Sequence, residues 1–315
     1  MYKRQVLSVT FVFLVNNVLT IWFDWPGVKQ LFSQYELFGF SKLSKSLEGS
    51  VLFLAFIQLF FYFISVLLVI FYVLKSINQS LEYDAKILTK FTAYVIRSSF
   101  WAVLIVGAAD LLISFMVVEK LVEPILGETL KVKLVIPAFR ITFVHFPLIL
   151  ISFVIGYFTR SVGFIWLAVL VVASEFFIVV SRFIFEYEQA FQGDLVRFWY
   201  SALYLFASAY ALMHEGHVRV DVLYTGFSER KKAWTNSIGS LVLGIPLCLI
   251  VLFLGMGGKA SIINGPVISF EITQQGSNGL YLLYLMAIYL AVFAVSMLIQ
   301  FTSYFMSSSY KLLKS

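Results

Sequence analysis

The sequence predicts an all-α integral membrane protein with about eight transmembrane helices. Hydrophobic residues make up 61% of the chain and charged residues only 13%, whereas soluble domains have about 45–50% apolar and about 25% charged residues. Several apolar runs also reach the roughly 20 residues that a helix needs to cross a bilayer. The one cysteine, Cys248, leaves no basis for a disulfide framework or a cysteine-based metal cluster.

Eight apolar runs have transmembrane length or approach it. Four of them carry few interruptions and lie at residues 51–74, 161–180, 238–256 and 280–299. The other four contain more polar or helix-bending residues and lie at residues 6–23, 98–118, 141–158 and 195–213. Because no small-residue cleavage site follows the first run, we predict an uncleaved first helix instead of a signal peptide.

Three ionisable residues lie in or next to these runs and are candidate functional residues, since charge is costly in hydrocarbon. Asp110 is the deepest, and it could take part in proton or ion transfer or form a polar link to another helix. Glu175 stands five residues before the end of its run, about 7.5 Å along a helix, so it is expected to approach the outer interface. Arg140 stands just before its run.

Three further ionisable residues flank the fifth and sixth predicted spans. Arg182 follows the fifth run, and Arg197 begins the sixth. Asp194 precedes Arg197 by three residues, a spacing at which helical side chains can touch. This pair predicts a local ion pair with Arg197 snorkelling outward, a contact to a partner subunit, or both. Arg182 is predicted to be an interfacial anchor or a partner contact.

A polar segment follows the sixth span and reads ALMHEGHVRVDVLY over residues 211–224. Its ionisable side chains are those of His214, Glu215, His217, Arg219 and Asp221. A metal site is disfavoured, because Gly216 between the histidines is typical of a helix end and Arg219 and Asp221 alternate with valines. We predict a structural loop that docks on a partner, or a solvated loop, with no metal, cofactor or catalytic group.

The distribution of Lys and Arg predicts the orientation of the spans. With eight spans and a cytoplasmic N-terminus, the inner segments hold 13 basic residues and the outer segments hold 10. From Arg160 onward the asymmetry is seven inside against three outside. Both termini and the segment around His217 are therefore predicted to be cytoplasmic. The net charge of +6 follows from this topology and does not indicate nucleic acid, because the basic residues lie between apolar runs.

Four patches, in order, resemble the small permease (Q-type) subunit of tripartite ATP-independent periplasmic (TRAP) transporters. They are SRFIF at 181–185, DLVR at 194–197, GHVRVD at 216–221 and GSNGLYLLY at 276–284. The third is similar to the signature loop of that family. One departure is Gly193, which stands where the family commonly has an acidic residue.

The resemblance implies two regions and a set of partners. Residues 161–315 would form a four-helix small-permease domain, and residues 1–160 would be an N-terminal membrane extension of about four helices. The implied role is that of a scaffold in the bacterial inner membrane for a large, elevator-type M subunit, with a periplasmic solute-binding protein that delivers organic acids for sodium-coupled uptake. Arg182, Asp194, Arg197, Gly216, His217, Arg219 and Asp221 are the predicted interface or structural residues.

An autonomous channel, transporter or membrane enzyme that uses Asp110 and Glu175 is the alternative. Two observations weaken it. The sequence has no internal repeat with paired Gly/Pro breaks of the kind that secondary transporters show. It also has no Walker, Gly-x-Ser-x-Gly or His-Glu-x-x-His motif. We therefore predict that the chain is not an enzyme.

Overall fold

A computed structural model describes residues 2–76, 79–160, 164–213, 222–273 and 279–314. Within these ranges every regular element is helical, which confirms the all-α prediction. The chain divides into two compact units, Met1–Ser80 and Leu81–Ser315. The division predicted between residues 160 and 161 concerns the extent of the family-like region, and it stays a prediction.

The unit Met1–Ser80 is built on two long helices. Its elements are α1 (Tyr2–Trp22), α2 (Gly27–Gln34), a 3₁₀ turn (Leu37–Gly39) and α3 (Gly49–Lys75). The fully buried Gln58 of α3 accepts the N–H of Gly27 at 2.8 Å and donates to the Thr20 hydroxyl at 3.2 Å. Because both ends of this amide are satisfied within an apolar setting, it fixes α2 and the end of α1 on α3.

The unit Leu81–Ser315 contains the remaining helices. They are α4 (Leu81–Val118), α5 (Val122–Leu126), α6 (Glu128–Leu134), α7 (Pro137–Phe158), α8 (Phe164–Phe185), α9 (Ala190–Met213), α10 (Val222–Thr225), α11 (Glu229–Gly255), α12 (Asn264–Ile268) and α13 (Leu283–Lys314). Helix α13 packs against α4, α9 and α11, while α7 packs on α4 and α8 packs on α9.

The core of this unit lies between α4, α9 and α13. Its fully buried members include Val106 on α4, Phe198 on α9 and Tyr289 on α13. The contact between α4 and α7 is close enough to require glycine, since a Cβ at Gly156 would lie 2.9 Å from the Cα of Ser98. Helices α4 and α7, which precede the predicted small-permease domain, therefore share one core with its helices.

Seven helices in the described part of the chain are long and apolar enough to cross a membrane. The eighth predicted span, residues 195–213, lies in α9, which has 24 residues and is about 36 Å long. Helix α9 is less apolar because Asp194 and Arg197 stand near its start and tyrosine and serine recur along it. Its crossing of the membrane stays a prediction. The protein is a multi-pass membrane protein.

Two spanning helices contain a π-helical turn immediately before a proline. The turns are Ile141–His145 in α7 and Ser240–Gly244 in α11, and Pro147 and Pro246 follow them. Proline has no N–H to donate to the preceding turn, so the regular hydrogen-bond pattern of the α-helix is interrupted there. The π-helical turn, with hydrogen bonds from residue i to residue i−5, accommodates one extra residue at this point. In α7 this turn carries His145 into the interior of the unit, where it is fully buried.

Candidate functional site

Two buried carboxylates hold the non-helical segment 279–282 that leads into α13. The Oδ2 of Asp110 on α4 accepts the N–H of Tyr281 at 2.8 Å, and the Oδ2 of Asp194 on α9 accepts the N–H of Leu280 at 3.1 Å. Leu280 and Leu282 are fully buried, so water cannot satisfy these backbone groups. Each carboxylate therefore accepts a backbone N–H that has no helix or sheet partner.

The charge of Asp110 is compensated by two side chains from α7. Its Oδ1 lies 2.6 Å from Nε of Arg140 and 2.8 Å from Nε2 of His145. The three side chains are at most 1% exposed. The Nη2 atom of Arg140 also donates to the backbone carbonyl of Asp110 at 2.6 Å and to the Ser114 hydroxyl at 2.8 Å. We call Asp110, Arg140 and His145 the buried triad.

The buried triad continues into Tyr284, the second residue of α13. Because a carboxylate only accepts hydrogen bonds, His145 carries a proton on Nε2 and donates it to Asp110. In the neutral ring, Nδ1 is then the acceptor for the Tyr284 hydroxyl at 3.1 Å. This tautomer is assigned from the hydrogen-bond partners. The result is a directed chain from the Tyr284 hydroxyl through His145 to Asp110.

Side chains also enclose Tyr281. The guanidinium of Arg140 lies over the Tyr281 ring, 4.3 Å from its centroid, an arrangement that favours the cation electrostatically. The Tyr281 hydroxyl donates to the carbonyl of Val135 at 3.1 Å. Ser114 completes the enclosure by donating to the carbonyl of Gly279 at 3.3 Å.

Asp194 has a second partner besides the Leu280 N–H. The Thr273 hydroxyl lies 2.6 Å from its Oδ2 and 2.8 Å from the carbonyl of Leu280. Arg197 approaches from outside, with an Nη1 to Oδ1 distance of 3.7 Å. The side chain of Arg197 is 66% exposed and that of Asp194 is 1% exposed. The predicted spacing thus brings the two charges near each other, but the short contacts of Asp194 are with Thr273 and Leu280.

The other residues predicted for the site lie elsewhere. Arg182 is exposed near the end of α8, where its Nε lies 3.3 Å from Oε2 of Glu188. Gly216, His217, Arg219 and Asp221 lie outside the described residues. Their assignment as interface or structural residues stays a prediction, as does that of Arg182.

The arrangement around Asp110 is built to hold a fold together. Both carboxylate oxygens face protein donors, so a cation or solute could bind there only by displacing Arg140, His145 or a backbone N–H. Among the described residues, no group of three or more His, Cys, Asp or Glu side chains could hold a metal ion. Asp110 therefore forms the polar link to other helices that its depth in an apolar run predicted.

Sequence reasoning singled out Asp110 and Arg140 but did not join them. It gave no signal for Thr273. It included Tyr281 and Tyr284 only as members of the patch at 276–284 and assigned them no role, because polar and aromatic residues near a span end are ordinary. The one usable signal for His145 was Pro147 two residues later, since proline within a helix often marks a local distortion.

Breaking the buried triad should destabilise the protein strongly. We expect Arg140→Met to lower the free energy of unfolding by about 3–5 kcal/mol, because it leaves a buried carboxylate without its cation. The double variant Asp110→Leu/Arg140→Met should lose less than the sum of the single variants. Denaturant titration in detergent measures both. Glu123→Gln is the control, because it removes an exposed ion pair of equal length and should cost at most about 1 kcal/mol. A cost for Arg140→Met as small as that of the control would contradict this account.

Asp194 and Arg197 should differ in their contributions to stability. Asp194→Ala removes the acceptor for the Leu280 N–H and the Thr273 hydroxyl, so we expect a loss of about 1–3 kcal/mol, while Arg197→Ala should stay within about 0.5 kcal/mol. The exchanged pair Asp194→Arg/Arg197→Asp should not recover stability, because its arginine cannot accept either bond. Unfolding midpoints of the three variants measure this. Recovery in the exchanged pair would mean that the ion pair outweighs the hydrogen bonds.

Comparisons with known proteins connect this site to a family. Residues 167–307 match the model of the DctQ component of tripartite ATP-independent periplasmic transporters. No curated protein and no solved structure matches the chain. The matched region contains Asp194, Tyr281 and Tyr284, whereas the buried triad lies before it. Over residues 167–307, less than half of its length, the chain is thus similar to the DctQ component of these transporters.

Proposed function

We propose that this chain is the small membrane subunit of a sodium-coupled TRAP transporter for organic acids or related solutes, and that it serves as a fixed scaffold. The family match over residues 167–307 carries the proposal. The partners would be a large, elevator-type M subunit, which holds solute and sodium, a periplasmic solute-binding protein, and membrane lipids. The location would be the inner membrane of a bacterial cell.

The internal pairing of charge supports a scaffold in preference to a carrier. Coupled transport needs solute and ion ligands whose exposure alternates between two sides of the membrane. Asp110, Arg140 and His145 are instead fully used in contacts with one another and with the start of α13. If Asp110 bound and released a transported ion, these contacts would break in every transport cycle. The region around the buried triad therefore suits a static role.

The N-terminal extension would broaden and stiffen this scaffold. Helices α4 and α7 precede the family region, yet α4 packs on both α9 and α13. The buried triad connects them to Tyr281 and Tyr284 within the family region. Two helices of the extension would thus form one body with the scaffold.

An autonomous transporter or enzyme that uses Asp110 and Glu175 together finds no support in the geometry. Asp110 is fully buried, while Glu175 is exposed on the surface of α8. The two carboxylates do not face a common site, so they offer no paired chemistry.

We expect the connection between α9 and α11 to face the cytoplasm and the connection between α11 and α13 to face the periplasm, with both termini cytoplasmic. Lys231→Cys and Ser269→Cys, each in a Cys248→Ser background, test this because both positions are exposed and Cys248 is buried. An impermeant maleimide added to spheroplasts should label position 269 and not position 231. The opposite pattern would invert the topology, and lysed membranes, in which both positions should react, provide the control.

The chain alone should not transport. Reconstituted by itself into proteoliposomes, it should give no uptake of carboxylates above protein-free vesicles under an inward sodium gradient, because solute and sodium ligands would reside in the large subunit. Adding the large subunit and a loaded solute-binding protein should produce uptake that collapses when the gradient is removed. Uptake by the isolated chain that Asp110→Asn abolishes would overturn the scaffold proposal.

A further inference from the structure

Glu175 is an acidic residue on the exposed, apolar surface of a spanning helix. It is exposed, and no hydrogen bond or ion pair joins it to another residue in the described part of the chain. Its neighbours on this surface are apolar and exposed, with Val172 at 69% and Phe176 at 67%. Leu167 and Ser174 are buried on another side of α8, and this helix packs against α9. Glu175 therefore lies on a face of α8 that the described residues of the Leu81–Ser315 unit leave uncovered.

The depth of Glu175 differs from the expectation drawn from the sequence. The apolar run ends at Val180, but α8 continues to Phe185. Glu175 is consequently about 15 Å from either end of the helix, near the middle of a hydrocarbon layer about 30 Å thick. The short glutamate side chain cannot reach the interface from there. Arg182 lies seven residues further on the same face, about 10 Å away, and its guanidinium lies against Glu188.

An acidic group at this depth is costly when it faces lipid, and intramembrane charges normally pair with another group. We propose that the α8 face formed by Ala168, Val172, Glu175, Val179 and Arg182 is the docking surface for a helix of the large membrane subunit, and that this helix presents a Lys or Arg side chain at the depth of Glu175. This inference rests on the proposed function. Beyond that function, it specifies which face of this chain the large subunit contacts and which charge the contacting side chain carries.

Charge complementarity selects this occupant over a second copy of the chain. In a symmetric dimer through this face, Glu175 would meet the Glu175 of its mate, and like charges in a low dielectric repel. The basic residue on α8, Arg182, lies too far along the helix to compensate. In α1 and α3, the basic residues Lys3, Arg4 and Lys75 lie at the helix ends. The helices α1, α3 and α8 thus provide no cation at the depth of Glu175, and the proposal assigns this cation to a different protein.

Co-purification with a tagged large subunit, expressed from the same plasmid, tests the proposal. Glu175→Leu should reduce the co-purified chain on the order of tenfold, and Glu175→Arg should abolish co-purification. The isolated Glu175→Leu chain should remain monodisperse and melt at or above the wild-type temperature, because leucine is favoured in contact with lipid. Glu128→Leu is the control, since it removes an equal charge from an exposed residue outside the spans and should leave co-purification unchanged.

A charge exchange makes the test specific. Glu175→Arg combined with a Lys→Glu or Arg→Glu change at a mid-membrane position of the large subunit should restore co-purification for one such position. If Glu175→Leu and Glu175→Arg bind as well as wild type, the docking surface is wrong while the proposed function stands. If the wild-type chain itself does not bind the large subunit, the proposed function fails and this inference fails with it. Disulfide-linked homodimers of Val172→Cys in a Cys248→Ser background would instead assign the face to self-association.

Discussion

The packing of the Leu81–Ser315 unit depends on the carboxylate of Asp110. Its oxygens receive donors from Arg140, His145 and the backbone of Tyr281, and these belong to two other segments of the chain. A charge without partners would be strongly disfavoured in such a setting, whereas a paired and hydrogen-bonded carboxylate is tolerated. The requirement that every donor be present at once fixes α4, α7 and the start of α13 in one arrangement.

Asp194 applies the same principle from the other side of the segment 279–282. Non-helical backbone at membrane depth needs acceptors that a helix would supply internally. Asp110 and Asp194 supply them to the adjacent N–H groups of Tyr281 and Leu280. One acceptor lies within the region that matches the DctQ family and the other lies before it. The local structure of the matched region is therefore completed by α4, a helix that precedes it in the chain.

This unit accommodates acidic side chains within its spanning helices in two ways, by pairing inside the protein and by exposure on a helix surface. Asp110 is compensated internally, with no exposed surface, and it stabilises the contacts between helices. Glu175 is exposed on α8 without a partner in the described residues, and in the proposed complex the large subunit compensates its charge. The first arrangement makes the unit rigid, and the second places an acidic side chain on the exposed face of α8. Both arrangements are compatible with the scaffold role proposed for this chain.

The sequence alone determined the class of the protein and most of its helices, because transmembrane length and apolar composition are local properties. It also singled out Asp110 and Arg140, since charges next to apolar runs are conspicuous. Local signals were less reliable for helix ends. Residues 181 and 182 suggested the end of α8, yet the Ser181 hydroxyl donates to the carbonyl of Phe177 at 2.8 Å, so its polar group is satisfied within the helix and the helix continues.

Only the tertiary structure decided which groups meet. Asp110 bonds to residues 30, 35 and 171 positions away, and no periodicity or motif specifies pairing over such separations. The inward position of His145 depends on a π-helical turn, and the value of Tyr281 and Tyr284 as donors depends on where α13 begins. The sequence supplied the charges, but the requirement that buried charges and backbone groups find partners determined the site only once the helices had packed.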